Sequence, residues 1–416
     1  MDGKRDISGR LIYVMLITSA LLAVFALIAQ PNGTLLTGFL KIQVSEAGLI
    51  TDPMAVGGVG AALLNASLVL LACTLLVRWL RVPFTGVSFA CLFMMAGFAL
   101  LGKNLLNITP IIVGGWLHAL YKRESFAKYV YLTLFGTCLS PIVSFFLVNG
   151  RPGTRWLLMA IIGLVIGFLL PAVAGFTVRV HQGYNLYNVG FAAGFLGLGL
   201  ASILKGFGVE FTSHSTWSEE GHVLLCVMTA VILAALFAAG VLLGCRSVGD
   251  YLRILRHSGR AVADFIVLDP PGRCFVNMAL VGAVGFIYLL CVGVKLNGPL
   301  VCCLLSMIGF AAFGKHPKNI IPLMAGAVLS ALLLEKIPLT SPGVLLATLL
   351  CTGLAPIAGQ FGWYWGVAAG FLHMAIVQNT SFLHGGMNLY NNGFAAGLVC
   401  VLLIPIIEAV KSEPEE

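Results

Sequence analysis

Two stretches of this sequence are nearly the same: Gly97–Gly114 reads GFALLGKNLLNITPIIVG and Gly309–Gly326 reads GFAAFGKHPKNIIPLMAG, 212 residues later. A second pair, His181–Gly194 (HQGYNLYNVGFAAG) and His384–Gly397 (HGGMNLYNNGFAAG), is separated by 203 residues. Both pairs keep Lys, Asn, Tyr and His among apolar residues, where such groups are unfavourable unless they line a cavity or find partners. Duplicated halves that share a central polar site are typical of transporters and channels.

The composition indicates a membrane protein. Of the 416 residues, 59% are hydrophobic and 10% are charged, the net charge is +8, and the mean hydropathy is +1.00. Ordinary soluble domains contain about 25% charged residues. The 11 cysteines lie mostly in apolar stretches and form no CxxC pair. We therefore expect them to be small buried side chains rather than a disulfide framework or a metal site.

Fourteen apolar segments of helical length follow one another, and several are short or interrupted by Gly or Pro. The expected fold is an all-α polytopic membrane protein with about 14 transmembrane helices, within a range of 10 to 14, some of them broken or re-entrant. The segments form an N-terminal repeat (11–204) and a C-terminal repeat (221–408). Seven segments precede the loop Ser202–Glu220 and seven follow it. Because seven is odd, the second repeat should have inverted topology.

The distribution of positive charge predicts the orientation. If the N-terminus is cytoplasmic and every segment crosses, 17 of the 24 Lys and Arg residues lie on the cytoplasmic side. The positive-inside rule favours this arrangement, with both termini cytoplasmic and the protein in the plasma membrane. The basic segment 246–273 becomes the main cytoplasmic loop. It could form a helix on the inner membrane face or a solvated connector.

The first repeated motif predicts a polar break between two helices. Gly-Lys ends one apolar helix and Pro lies in the first turn of the next, which leaves backbone carbonyl and N–H groups without partners. The side chains expected to line a substrate pathway here are Lys103, Asn104, Asn107, Lys315, His316 and Asn319. Lysines beside helix N-termini would attract an anion or the carbonyl oxygen of a neutral solute. Alternatively, both lysines reach the lipid head groups from opposite edges.

Inversion of the repeat carries a further expectation for this motif. It would place Asn107 and Asn319 close to a shared axis near the bilayer middle.

The second repeated motif predicts a helix with one packed face and one polar face. A continuous helix would place asparagines on one side and a GxxxG pattern, Gly190 and Gly194 or Gly393 and Gly397, on the other. The expected pathway residues are Asn185, Tyr187, Asn188, Asn388, Tyr390 and Asn391. Alternatively, these asparagines form hydrogen bonds that hold helices together. His181 and His384 precede the helices and could relay protons, or could be caps or interface residues.

Motifs of known enzymes are absent from the sequence. It contains no P-loop, no HExxH and no Gly-x-Ser-x-Gly, and we expect no enzyme activity, no metal and no cofactor. Acidic residues are missing from nearly all the apolar segments. Pumps and sodium-coupled carriers usually hold Asp or Glu in the membrane, so their absence favours facilitated diffusion, a channel, or coupling through His or backbone carbonyls.

Across its length the chain resembles an uncharacterised family of bacterial integral membrane proteins with a duplicated NLYNxGFAAG segment. More distantly, both halves resemble urea transporters, which have inverted repeats with a G-Q-V-x-F-x-N-N-P-x-S-G stretch and a later G-Y-N-G-x-L-x-G stretch. The residues that stand at these stretches are Gly102, Lys103, Asn107 and Pro110, then Gly314, Lys315, Asn319 and Pro322, and finally Gly183, Tyr184, Asn185 and Gly190. The resemblance implies architecture more than specificity.

Three functions are compatible with the sequence. The favoured one is a transporter or channel that moves a small polar or anionic solute through a central site made by the two repeats. A membrane-embedded enzyme is one alternative. The other is a non-transporting structural or sensor subunit, which full pairing of the motif asparagines with each other would favour. The expected partners are the lipid bilayer and the solute, with no nucleic acid, and assembly into a homo-oligomer stays open.

Overall fold

A computed structural model describes residues 2–31, 33–211, 215–335 and 337–411, without the side chains of residues 2–8, 10 and 335. Lys336 and the side chains of Lys4, Arg5 and Arg10, which belong to the charge count above, lie outside the described residues. Within these ranges the chain is helical, and its extended residues pair only at one isolated bridge between Thr51 and Thr216.

Ten α-helices belong to the first copy. They are α1 (Asp2–Ala29), α2 (Leu35–Gln43), α3 (Pro53–Gly57), α4 (Val59–Trp79), α5 (Gly86–Phe98), α6 (Leu105–Tyr121), α7 (Val130–Gly136), α8 (Ser140–Asn149), α9 (Arg155–Val180) and α10 (Asn188–Gly206). A 3-10 turn, Thr137–Leu139, joins α7 to α8.

The second copy and the basic segment contain ten more helices. They are α11 (His222–Leu242), α12 (Val248–Leu252), α13 (Phe265–Leu268), α14 (Pro271–Val292), α15 (Gly298–Phe310), α16 (Pro317–Ser330), α17 (Pro342–Leu350), α18 (Ala355–Phe361), α19 (Trp363–Val377) and α20 (Asn391–Lys411). Helices α4 to α6 match α14 to α16 at the 212-residue separation, and α10 matches α20 at the 203-residue separation.

Ten helical stretches in the described part of the chain are long and apolar enough to span a membrane. The structure therefore supports a helical membrane protein but does not confirm fourteen crossings. Helices α5 and α15 contain 13 residues each, and nearly all of these are buried. A helix of that length extends about 20 Å, which is shorter than the roughly 30 Å hydrocarbon core. Each of these two helices ends inside the protein, and the chain then turns into α6 or α16.

The predicted helix break after α5 is present and has a clear physical origin. Gly102 adopts a φ of +126° in the turn, and a Cβ at this position would lie 2.7 Å from the carbonyl oxygen of Ala47. Gly314 repeats this with a φ of +117°. Only glycine tolerates both demands. Pro110 lies inside α6, which begins at Leu105, so the expectation of a proline in the first turn was wrong.

The GxxxG prediction is confirmed at the crossing of α10 and α20. A Cβ at Gly190 would lie 3.0 Å from the Cα atom of Gly393, and the reverse distance is also 3.0 Å. Because glycine has no side chain, the two helices approach closely where the copies meet. The continuous helix expected through Asn185 was wrong, because α10 begins only at Asn188.

The basic segment 246–273 contains the short helices α12 and α13, a 3-10 turn at Ile254–Arg256 and the start of α14. Ile254, Phe265 and Cys274 are fully buried and form a small apolar cluster. Ile254 and Phe265 pack against Cys274 at the start of α14, whereas Val248, Leu252 and Val262 are exposed, so a position on the inner membrane face or in solvent stays a prediction for this segment.

Candidate functional site

Two buried lysines, one from each copy, lie at the centre of the candidate site. Lys103 and Lys315 follow the breaks after α5 and α15, and both are 0% exposed. The ammonium of Lys103 donates a hydrogen bond of 2.6 Å to the hydroxyl of Tyr390. The ammonium of Lys315 donates one of 2.6 Å to the hydroxyl of Tyr187. Each lysine therefore binds the tyrosine of the other copy, and neither side chain reaches the lipid head groups.

Aromatic rings surround both ammonium groups. The Nζ atom of Lys103 lies 4.5 Å from the ring centroid of Tyr390 and 5.6 Å from that of Phe98. The Nζ atom of Lys315 lies 4.6 Å from Tyr187 and 5.3 Å from Phe310. A cation within about 6 Å of a ring face is attracted by its quadrupole. No Asp or Glu forms an ion pair with either lysine among the described residues.

The asparagines of the first motif stabilise the helix breaks. The side-chain oxygen of Asn104 accepts from the backbone N–H of Asn107, and the side-chain oxygen of Asn107 accepts from the backbone N–H of Asn104. The side-chain amide of Asn107 also donates to the carbonyl of Gly102 at 2.9 Å. His316 and Asn319 form the same reciprocal cap in the second copy. No hydrogen bond joins Asn107 to Asn319 in the part of the chain that the structure describes, so the lysines and tyrosines are what link the two copies here.

The asparagines of the second motif connect the copies through the backbone. Asn185 donates to the carbonyl of Gly393 at 3.0 Å, and Asn388 donates to that of Gly190 at 3.5 Å. This agrees with the alternative interpretation, in which asparagines hold helices together. The motif asparagines are bonded mainly to backbone groups rather than to each other.

The motif histidines are held inside their own copies. His181 Nε2 lies 2.9 Å from Asn188 Oδ1, and His384 Nε2 lies 3.1 Å from Asn391 Oδ1. Thr177 donates to the same oxygen of Asn188. In the described residues no hydrogen bond connects either histidine to the lysine–tyrosine pairs, so the proton-relay role stays a prediction.

A cavity of about 240 Å³ leads to the two tyrosines. Its walls are mainly apolar and include Phe135, Phe310 and Val262, while His181, Asn185 and Asn188 add polar groups. Both Tyr187 and Tyr390 line it. The predicted pathway residues of the second motif in the first copy therefore do face a cavity.

A second cavity, of about 470 Å³, lies beside the matching residues of the other copy. It is lined by Ile50, Gln378, Ser381, Asn391 and Asn392. Ile50 corresponds to Val262 of the first cavity at the 212-residue separation, and Asn391 corresponds to Asn188 at the 203-residue separation. The two cavities are equivalent by position, although only the first reaches the tyrosines.

Sequence reasoning missed two acidic caps. Asp264 accepts hydrogen bonds from the backbone N–H groups of Gly86 and Val87, at the start of α5. Asp52, 212 residues earlier, accepts from Ser218 and lies against Gly298 at the start of α15. Burial raises the pKa of Asp52 to about 6, although three backbone N–H groups favour its charged form. The shared 212-residue separation was the signal that could have revealed this pair.

The remaining features are the metal-ligating residue types, the cysteines and one more repeated pair of asparagines. No group of three or more His, Cys, Asp or Glu residues able to hold a metal occurs in the described ranges. All 11 cysteines are free, and most are buried. Asn65 and Asn277, also 212 residues apart, donate to the carbonyls of Lys103 and Lys315 and so fix the backbone of each lysine.

The family model described as "Protein of unknown function (DUF1576)" matches residues 31–206 and 245–409. The chain belongs to the DUF1576 family. The two matched segments correspond to the two copies, and together they contain all four residues of the lysine–tyrosine pairs. No curated protein and no solved structure matches the chain. The resemblance to urea transporters thus gains no support from these comparisons, and the DUF1576 description assigns no activity.

Proposed function

We propose that this DUF1576 protein is an integral membrane transporter or channel for a small polar or anionic solute, without enzyme activity. The observation that carries the proposal is the reciprocal pairing of Lys103 with Tyr390 and of Lys315 with Tyr187. Fully buried cationic side chains are unfavourable in a membrane protein unless they serve a pathway or a partner. Here both lie behind tyrosines that line one cavity.

An inverted repeat is part of this proposal, and the acidic caps support it. Asp52 precedes α4 and lies beside Gly298, which begins α15 after α14. Asp264 precedes α14 and bonds to Gly86, which begins α5 after α4. The start of each long helix therefore lies near the end of the other, so α4 and α14 run in opposite directions, as in transporters with inverted repeats.

Re-entrant hairpins explain how fewer crossings can keep the predicted orientation. If α5 with α6, and α15 with α16, enter and leave on the same face, each hairpin removes two crossings; α16 is then not a crossing although it is long enough, and the shorter α19 is one. The side assigned to every other loop is unchanged, and each copy still has an odd number of crossings. The predominance of Lys and Arg on the side of the N-terminus is retained, which supports cytoplasmic termini in a plasma membrane.

Equivalent cavities beside the two copies support movement of a solute past the tyrosines. One opens near Val262 of the basic segment and the other near Ile50, and these two residues occupy matching positions. Inverted repeats commonly alternate access by exchanging the conformations of their halves. In the present conformation only the cavity beside Val262 extends to Tyr187 and Tyr390.

Uptake into proteoliposomes tests the proposal. The purified protein should admit at least one solute from a panel of small amides, alcohols, carboxylates and inorganic anions, with and without an ion gradient. The double variant Lys103→Gln/Lys315→Gln keeps hydrogen-bond donors but removes both charges, and we expect it to lose uptake of an anionic solute. Protein-free liposomes give the background.

The absence of uptake of every solute, in either direction, would contradict transport. It would then favour the non-transporting subunit, for which the backbone-bonded Asn185 and Asn388 already provide a structural role.

A further inference from the structure

The two lysine–tyrosine pairs are equivalent by position but differ in their hydrogen bonds. Lys315 has two hydroxyl acceptors, Tyr187 at 2.6 Å and Thr352 at 2.8 Å. Lys103 has one hydroxyl acceptor, Tyr390, and a weak second acceptor, the Sδ atom of Met95 at 3.5 Å. An ammonium group carries three N–H donors. The ammonium of Lys103 therefore has fewer good hydrogen-bond acceptors than that of Lys315.

The hydroxyl groups of the two tyrosines also differ in their hydrogen bonds, and again the Lys103–Tyr390 pair has fewer acceptors. The Tyr187 hydroxyl lies 3.1 Å from the hydroxyl of Ser306, which can accept its hydrogen. The residue that matches Ser306 in the first copy is Met94, which lines the cavity and offers no oxygen. The Tyr390 hydroxyl bonds only to the donor Lys103 among the described residues. Its own hydrogen is left without an acceptor, at the wall of the cavity.

Positive charge near Lys103 is also without a counter-ion. No Asp or Glu of the described residues forms an ion pair with its ammonium. A ligand with a negative charge would supply what the protein does not. Lys103 would polarise the Tyr390 hydroxyl by donating to its oxygen, and the hydroxyl would donate its hydrogen to the ligand. Hydrogen bonds that involve an ionised group are roughly twice as strong as neutral ones.

The cavity itself adds two constraints on the ligand. Its walls are largely aromatic and aliphatic, which favours a ligand with an apolar body. Its volume of about 240 Å³ limits that body to a few carbon atoms, given that a water molecule takes about 30 Å³. Two of the residues that line it, Val178 and Ala261, are followed or preceded in sequence by Arg179 and Arg260. Positive charge near a cavity raises the local concentration of anions.

We propose that the ligand is a small aliphatic monocarboxylate, bound in this cavity through the hydroxyl of Tyr390 with Lys103 behind it. The inference rests on the proposed transport function for its physiological meaning, but binding can be measured without transport. The Lys315–Tyr187 pair, in which the ammonium has two hydroxyl acceptors and the Tyr187 hydroxyl has Ser306, has the structural role of joining the two copies.

The matched variants Tyr390→Phe and Tyr187→Phe test the assignment. Each removes one hydroxyl acceptor from a buried lysine, so both should reduce thermal stability, Tyr390→Phe the more because Lys103 keeps no other hydroxyl acceptor while Lys315 keeps Thr352. Butyrate binding to the detergent-solubilised protein, measured by calorimetry, should weaken about tenfold or more in Tyr390→Phe, as expected for one hydrogen bond to a charged group. In Tyr187→Phe we expect a change of less than about threefold. Equal losses in the two variants would overturn the assignment to Tyr390.

Butyramide, which has nearly the same shape as butyrate but no charge, tests the ligand class. We expect it to bind at least about tenfold more weakly than butyrate. Butyramide binding as tightly as butyrate would overturn the carboxylate proposal, as would tight binding of nitrate or chloride without butyrate.

Uptake measurements distinguish failure of the carboxylate proposal from failure of the proposed transport function. If proteoliposomes admit butyramide but not butyrate, transport stands and the carboxylate proposal fails. If butyrate binds but no solute crosses, the site stands and transport fails.

Discussion

Replacement of Gly190 by alanine tests how closely the two copies must approach. The new methyl group would lie 3.0 Å from the Cα atom of Gly393 and 3.0 Å from the Cβ and carbonyl oxygen atoms of Tyr390. Comfortable carbon contacts are about 3.5–4.0 Å, so α10 and α20 would have to separate by about 0.5–1 Å. Overpacking of this kind costs roughly 1–3 kcal/mol, and the higher helix propensity of alanine offsets about 0.5–1 kcal/mol. We expect a net loss of about 1–2 kcal/mol in the free energy of unfolding.

The same helix provides the matched control. A Cβ at Gly199 would meet no atom within 4 Å, so Gly199→Ala should be neutral or stabilising. Unfolding in mild detergent, followed by intrinsic fluorescence, should place Gly190→Ala below wild type and Gly199→Ala at or above it. The double variant Gly190→Ala/Gly393→Ala should lose more than the sum of its single variants, because each methyl points at the other glycine. Equal stability of Gly190→Ala and Gly199→Ala would refute the close approach.

Three further predictions concern the acidic caps and the topology. Asp264→Ala should lower the free energy of unfolding by about 2 kcal/mol, because it removes the cap from the starts of α5 and α13 at about 1 kcal/mol each. The control Asp250→Ala, at a partly exposed site, should leave the free energy of unfolding nearly unchanged. Since burial raises the pKa of Asp52 from 3.8 to about 6, the folded state binds an extra proton between these values. The free energy of unfolding should therefore rise as pH falls from 7 to 5, and this rise should be absent in Asp52→Asn. An identical pH profile in the variant would count against protonation of Asp52 as the cause. With native cysteines removed, an impermeant maleimide added outside cells should label Glu210→Cys but not Val248→Cys, and the reverse pattern would contradict cytoplasmic termini.

Much of the central site was visible in the sequence as repeated residues. The 212-residue separation marked Lys103 and Lys315 as a pair, and the 203-residue separation did the same for Tyr187 and Tyr390. Their direct contact across the copies was not visible, because the two separations belong to different segments and nothing in either motif indicates which residues of the other it meets. The crossing at Gly190 brings them together.

The depth of α5 is another property that sequence pattern could not assign. Its residues are as apolar as those of a spanning helix, and only the tight turn at Gly102 and the cap on Gly86 by Asp264, which is distant in sequence, fix where it begins and ends. The asparagines show a related limit. Asn107 and Asn185 were correctly singled out as polar groups that need partners, but those partners include backbone carbonyls exposed by helix ends and close crossings, which the sequence does not mark.

The sequence by itself determined the apolar, membrane-type composition, the helical fold, the duplication and which polar residues recur in both copies. These follow from composition and local pattern, because apolar length and repeated motifs are properties of neighbouring residues. Only the tertiary structure decided that each lysine binds the other copy's tyrosine, and that the Tyr390 hydroxyl is left with a hydrogen to donate. Both depend on distances between atoms far apart in the chain. Hydrogen bonds at such sites are set by packing geometry, so two copies with nearly the same motif can differ in what they leave unsatisfied.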